Sequence, residues 1–231
     1  MSKVYWDLTH FNISIDSKYK DIDELEKDIK NLFGSDNFSE IDSLDWFLIN
    51  KKKQISFLLL SIPSIIKNIN NNNIINMGDL CSVHLSDCID SFLFNISIQE
   101  HAFFSAQDNA LMVTSDTSLL RYKTLIFDDL YFLLDDKLSY QGFYLNNAIA
   151  HIPSLTEPQR KNNRLFLEYI KKMFEFCTEE FYEAMDDEDG KCLQKLNNLE
   201  KECLKNQISD ERLIYIVEFI KNVKNTFYDM E

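Results

Sequence analysis

Only four glycines occur in this chain of 231 residues, Gly34, Gly78, Gly142 and Gly190, and each stands alone. A phosphate-wrapping loop brings backbone up to its ligand without an intervening Cβ, so it is written with closely spaced glycines. Walker and dinucleotide-binding loops are excluded on that ground. The chain must fold on apolar patterning instead. Hydrophobic residues make up 45% of it, with 18 Phe and 10 Tyr, enough for a ring-rich core and too many for a disordered chain.

Net charge is −14 and unevenly spread. Residues 1–70 carry 9 basic and 11 acidic groups, residues 71–150 carry 3 and 10, and residues 151–231 carry 12 and 17. The middle third has almost nothing to neutralise its carboxylates, which must face water or a basic partner. A net negative surface disfavours direct contact with a phosphate backbone or an anionic membrane. The N-terminal MSKVYWDLTHFNISID lacks a basic region leading into an unbroken apolar stretch, so no signal peptide is expected. The longest apolar run, Ile55 to Ile62, is interrupted by Ser56 and Ser61 and is far too short to span a bilayer. Five cysteines without a framework spacing read as reduced thiols, and the expected compartment is the cytoplasm.

Apolar spacing predicts an α+β fold. A mixed part with a small sheet and helices is expected over residues 1–152, with a helical subdomain over residues 153–231 packed on it. Residues 3–15 read as one or two strands. Ile22, Leu25, Ile29, Leu32 and Phe33 fall on one face of a helix closed by Gly34 as C-cap. A short helix fits Ser39 to Ile49, with Ile41, Leu44, Phe47 and Leu48 on one side. Gln54 to Ile62 is the best buried strand, stopped by Pro63. The asparagine tract at residues 68–76 is a candidate seam between sub-domains.

Helical spacing returns at Leu80 to Asn95. His101 to Thr114 then reads as two strands turned at Asp108-Asn109, a plausible turn pair. Leu119 to Leu134 fits either a helix or two strands joined at Asp128-Asp129, the strands being preferred. Thr156, Pro158 and Gln159 supply helix-start signals. Leu165, Tyr169, Ile170, Met173, Phe174, Cys177, Phe181 and Ala184 continue as an apolar stripe, broken by Asp186 to Asp189 and Gly190. Leu193 to Leu204 forms another helix, and Ser209 caps a last one carrying Leu213, Ile216, Val217, Ile220, Val223 and Phe227. The C-terminal third is therefore expected as a helical hairpin or three-helix unit.

Candidate chemistry is sparse. Cys81, His84 and Cys88, with His101 downstream, can be spaced for a tetrahedral metal. The first three also fit one face of a helix, where buried cysteines are ordinary core residues. Asp186 to Gly190 has the look of a calcium loop, but placing Gly190 sixth puts Met185 first and Leu196 twelfth, and neither supplies an oxygen. His10, His84, His101 and His151 lie outside any nucleophile motif. No cofactor is expected. Asp128-Asp129 and Asp135-Asp136 flank Leu130 to Leu134, as the rim of an apolar contact site or as turns at both ends of a buried strand. The turn reading is preferred.

Residues 11–60 resemble the barnase-inhibitor (barstar) family in the order of their elements: strand, helix, loop, helix, buried strand. The second helix of that family has a Leu-Asp-x-Leu-Trp-Asp-x-Leu character, against Ile41, Asp42, Ser43, Leu44, Asp45, Trp46, Phe47 and Leu48 here. Trp46 and Asp45 stand in reversed order, which turns the aromatic about one hundred degrees around a helix. The resemblance implies an inhibitor whose acidic helix plugs a ribonuclease active site. Asp42 and Asp45 would imitate phosphates, with Trp46 or Phe38 adding apolar contact.

The expectation is an acidic intracellular binding protein, an immunity- or antitoxin-type inhibitor of a basic, nuclease-like toxin. Its contact residues would be Asp42, Asp45, Trp46, Asp128, Asp129, Asp135 and Asp136. Two alternatives stay open. One is a phage or mobile-element inhibitor of a host nucleic-acid-handling complex by charge mimicry. The other is a metal-dependent hydrolase using Cys81, His84, Cys88 and His101.

Overall fold

A computed structural model of the chain describes residues 3–16, 19, 22–33, 45–50, 52–69, 76–92, 99–154 and 163–230. Alternation builds most of the first sheet. Strands β1 (Val4–Asp7), β2 (Asn12–Ile15), β3 (Trp46–Ile49) and β4 (Ile55–Ser61) pair antiparallel in the order β1-β2-β4-β3. Val4, Trp6, Ile13, Phe47, Leu58 and Leu60 face the main core. The opposite face at β3 and β4 carries Trp46, Leu48, Phe57 and Leu59, covered by Ile29 and Leu25 of helix α1 (Ile22–Phe33).

The second sheet has seven strands: β5 (Ile66–Asn68), β6 (Cys81–Ser82), β7 (His101–Ser105), β8 (Ala110–Thr114), β9 (Tyr122–Phe127), β10 (Leu130–Leu134) and β11 (Tyr140–Leu145). Their order is β5-β7-β8-β11-β10-β9-β6, antiparallel throughout its centre and parallel at both edges. Gly142 sits mid-strand at φ +132, where an added Cβ would lie 2.0 Å from the Val113 carbonyl oxygen. Only glycine fits there. The inner face carries Ala102, Phe104, Val113, Phe132, Phe143 and Leu145. It meets the first sheet through rings: Phe47 lies 5.2 Å from Phe132 and 5.6 Å from Tyr140, and Trp6 lies 6.0 Å from Phe104.

Five further helices complete the described chain. They are α2 (Leu85–Phe92), α3 (Arg164–Phe174), α4 (Glu179–Asp186), α5 (Gly190–Asn206) and α6 (Leu213–Tyr228). Phe174 of α3 stacks on Trp6 at 6.1 Å and meets Phe104 edge-on at 5.1 Å. Phe219 of α6 packs on Phe11 at 5.9 Å. One buried cluster therefore runs from Val4 to Val223, with members from both residues 1–152 and residues 153–231.

The α+β class, the strands of residues 3–15, α1, the strand after Gln54 and both central hairpins match the sequence expectations. Four expectations change. Residues 46–49 form a strand rather than the end of a helix: Trp46, Phe47 and Leu48 are all buried, because one sheet face meets the core and the other meets α1. A continuous apolar run is what a strand covered on both faces requires. Among the described residues of 80–95, Leu85–Phe92 is helical, and Cys81 and Ser82 pair with β9 instead. The described residues of the C-terminal third form four helices, because Thr178 caps α4 through the Phe181 N–H and divides the expected stripe. At α6 the cap position is Arg212 rather than Ser209 and carries no side-chain cap bond; Asp210 accepts the Arg212 N–H at 3.1 Å just ahead of the helix. The Gly34 cap, the Thr156 to Gln159 start signals and most of the asparagine tract lie outside the described residues.

Candidate partner-binding surface

Asp42 lies outside the described residues. Asp45 does not face solvent: it is 3% exposed, immediately before β3. Its Oδ1 accepts the Ser61 N–H at 2.8 Å and its Oδ2 accepts the Tyr140 hydroxyl at 2.7 Å. Burial pushes its carboxyl up to about 6, although both hydrogen bonds pull the other way. Trp46 is buried beneath Ile29. These two residues therefore do not form an acidic, ring-bearing helix face of the kind the resemblance implies.

The two aspartate pairs sit at opposite ends of β10, as turns around a buried strand. Asp128 is exposed, with φ +25, in the two-residue turn between β9 and β10. Asp129 is committed inward, accepting from Asn147 Nδ2 at 3.3 Å and meeting His151 Nε2 at 3.1 Å. The His151 ring is fully buried, with its Nδ1 3.3 Å from the Val4 carbonyl oxygen. Asp135 closes the other turn, accepting from Lys137 N, Ser139 N and Gln141 Nε2 at 2.9, 2.8 and 3.1 Å. Asp136 is exposed. Leu130, Phe132, Leu133 and Leu134 are fully buried, which leaves the half-buried Tyr131 between the pairs.

The metal candidates are not gathered. Cys81 is exposed on β6, His84 precedes α2, and Cys88 is buried with its thiol directed at the His84 and Leu85 carbonyls. Burial also raises the Cys88 thiol above its ordinary range. His101 lies on β7 with its ring 6.2 Å from Phe103. No group of three or more His, Cys, Asp or Glu placed for a metal occurs among the described residues. Asp189 caps α5 through the Lys191 and Cys192 N–H groups, as a solvated helix terminus does.

A different surface emerges from the register. Phe103 of β7 pairs with Met112 of β8, Met112 with Tyr144 of β11, Tyr144 with Tyr131 of β10, and Tyr131 with Leu125 of β9. Paired residues share a face, so these five side chains form one row on the outer side of the seven-stranded sheet. Met112 is buried beneath the row, Phe103, Tyr131 and Tyr144 are half-buried, and Leu125 is 51% exposed. The Tyr131 and Tyr144 rings meet edge-on at 6.5 Å. Lys67 of β5 reaches over Phe103 at 5.9 Å. Met112 of this row and Leu133 of the adjacent one form a buried cluster with Leu80 and Leu120, against which Met77, Phe103 and Tyr144 pack.

Carboxylates stand along one side of this row. The turns carrying Asp108 and Asp128 lie at the same end of the sheet, as the pairs Ser105–Ala110, Leu111–Leu145 and Leu130–Phe127 require. Asp108 is close enough to Tyr144 to help burial raise its hydroxyl above the ordinary range, with Tyr131 adding to the effect. Half-buried tyrosines beside exposed carboxylates can dock a cationic protein surface. Local periodicity marks each strand but not which residues become neighbours, so Phe103, Asp108, Tyr131 and Tyr144 are not visible from sequence as a group. No protein-family model matches this chain, and no curated protein matches it in sequence.

Proposed function

We propose that this chain is an acidic binding protein for a basic protein, acting as an immunity- or antitoxin-type inhibitor of a nuclease-like toxin. The row Phe103, Tyr144, Tyr131 and Leu125, with Asp108 and Asp128 in the turns along one side of it, is the observation that carries the reading. Aromatic side chains supply most of the contact energy in protein interfaces, while carboxylates steer and orient a cationic partner. The net charge of −14 supports the sign of that partner. Of the described aspartates expected at the interface, Asp128 and Asp136 are exposed, and Asp128 adjoins the row. Five free thiols, four of them buried, support a reducing compartment, for which we take the cytoplasm. No helix among the described residues is long and apolar enough to cross a membrane.

Affinity capture with the full chain, followed by kinetics on the purified partner, tests the reading. Asp108→Lys with Asp128→Lys should slow association about tenfold at low salt, with the difference shrinking at high salt. Tyr131→Ala and Tyr144→Ala should speed dissociation about tenfold or more. A partner without net positive charge, or one indifferent to all four substitutions, removes the proposed surface. Capture of a large nucleoprotein complex replaces the toxin by a nucleic-acid-handling host target.

A further inference from the structure

The aromatic row is the floor of a trough. It crosses the strands from Phe103 on β7 to Leu125 on β9, and at the usual spacing of paired strands its length is about 19 Å. One long side is bounded by the turns that carry Asp108 and Asp128. The other is bounded by Leu80 and Leu120, with Met77 against them, and by Lys123, whose ammonium donates to the Met77 carbonyl. Between these sides Phe103, Tyr131 and Tyr144 are half-buried and Leu125 is 51% exposed.

This floor selects the secondary structure of what lies on it. The backbone groups of β8, β11 and β10 are spent on neighbouring strands on both sides. An extended segment laid on the face would bury its own N–H and C=O groups without partners. Strand addition needs a free edge, and the row lies across the middle of the sheet. A helix satisfies its backbone internally and meets such a floor with side chains alone. About thirteen residues of helix match the length of the row and present apolar groups at i, i+4, i+7 and i+11.

Charge selects the flank. The exposed Asp108 already accepts the Ser105 hydroxyl at 2.7 Å through Oδ2, so its field, rather than a vacant acceptor, attracts a cation. Lys123 sets positive charge on the opposite side.

We infer that the row receives an amphipathic helix of the basic partner, lying across the strands. Its apolar face rests on Phe103, Tyr144, Tyr131 and Leu125, and its cationic flank faces the Asp108 and Asp128 turns. The inference rests on the proposed basic partner and adds the shape of the segment that this partner presents.

The test needs no captured partner. The full chain is titrated with a designed, acetylated and amidated peptide of about thirteen residues, with Leu at i, i+4, i+7 and i+11, Arg along one flank, and Ala and Gln elsewhere. A second peptide differs by a central proline that prevents the helix. Backbone amide shifts and circular dichroism follow both titrations. The first peptide should move Phe103, Asp108, Leu125, Tyr131 and Tyr144, gain helix on binding, and bind about tenfold more tightly than the proline peptide. Leu125→Ala, at an exposed position, should weaken it about threefold. Asp108→Asn should weaken it about threefold at low salt and leave it unchanged at high salt. Equal binding of the two peptides, shifts elsewhere, or no saturable shifts overturn the helix. The inhibitor reading survives those results, since a basic protein docking by a loop satisfies it. Helix-dependent binding at the row without any captured basic protein would keep the helix site and remove the inhibitor reading.

Discussion

Asp45 is costly to the fold at neutral pH. Its carboxyl ordinarily ionises near 3.8, and burial raises that to about 6 in the folded chain. Below pH 3.8 it is protonated in both folded and unfolded states, and no cost arises. Between 3.8 and about 6 the unfolded chain releases the proton first, so stability falls as pH rises. Above about 6 the loss is constant, at ~3 kcal/mol on the usual conversion of a pKa shift. An asparagine in its place would keep the Ser61 bond and donate to the Tyr140 oxygen. Asp45→Asn should therefore flatten this slope and raise the urea midpoint at pH 7 more than at pH 4; an unchanged slope would show that the carboxyl is not the titrating group.

At the scale of elements, Gly142 is the most constrained position in the described sheets. Gly142→Ala sets a methyl group against the Val113 carbonyl in a strand bonded on both sides, and should cost at least ~3 kcal/mol in urea unfolding. A smaller loss would mean that β11 can shift away from β8. The hairpins of residues 101–114 and 122–134 are legible in the sequence because Asp and Asn mark their turns; Asn109 and Asp128 both adopt positive φ. Residues 46–49 are not, since Trp46, Phe47 and Leu48 in succession suit a helix or a strand covered on both faces. Thr178 is also hidden, because the apolar stripe continues through the turn that it caps. The candidate surface is the least legible feature: its members lie on β7, β8, β9, β10 and β11, and only register brings them together.

Across the whole molecule, Arg212 joins α3 and the start of α6 to the segment that follows β11. Its guanidinium grips Asp210 through Nε at 2.9 Å and Nη2 at 2.7 Å, donates to the Ile149 carbonyl at 2.8 Å, and lies 4.2 Å over the Phe166 ring. Burial alone would raise the Asp210 carboxyl, but Arg212 outweighs it and holds the group below its ordinary range. Arg212→Met strands a buried carboxylate and should cost ~3–5 kcal/mol in urea unfolding, part of which Asp210→Asn restores in the double variant. Full additivity of the two losses would show that the pair is not coupled.

The parallel edges of the seven-stranded sheet have a consequence for self-association. β9 is an apolar strand with Leu125 exposed, the kind of edge that templates the next chain in an aggregate. Cys81 and Val83 donate to the Arg121 and Lys123 carbonyls and so occupy that edge, while β5 occupies the opposite one beside β7. These strands of two and three residues act as stoppers, too short to recruit a neighbour of their own. Val83→Pro would delete one stopper bond while leaving the buried sheet centre intact. Light scattering should then show concentration-dependent growth of particles at protein levels where the unmodified chain stays monodisperse.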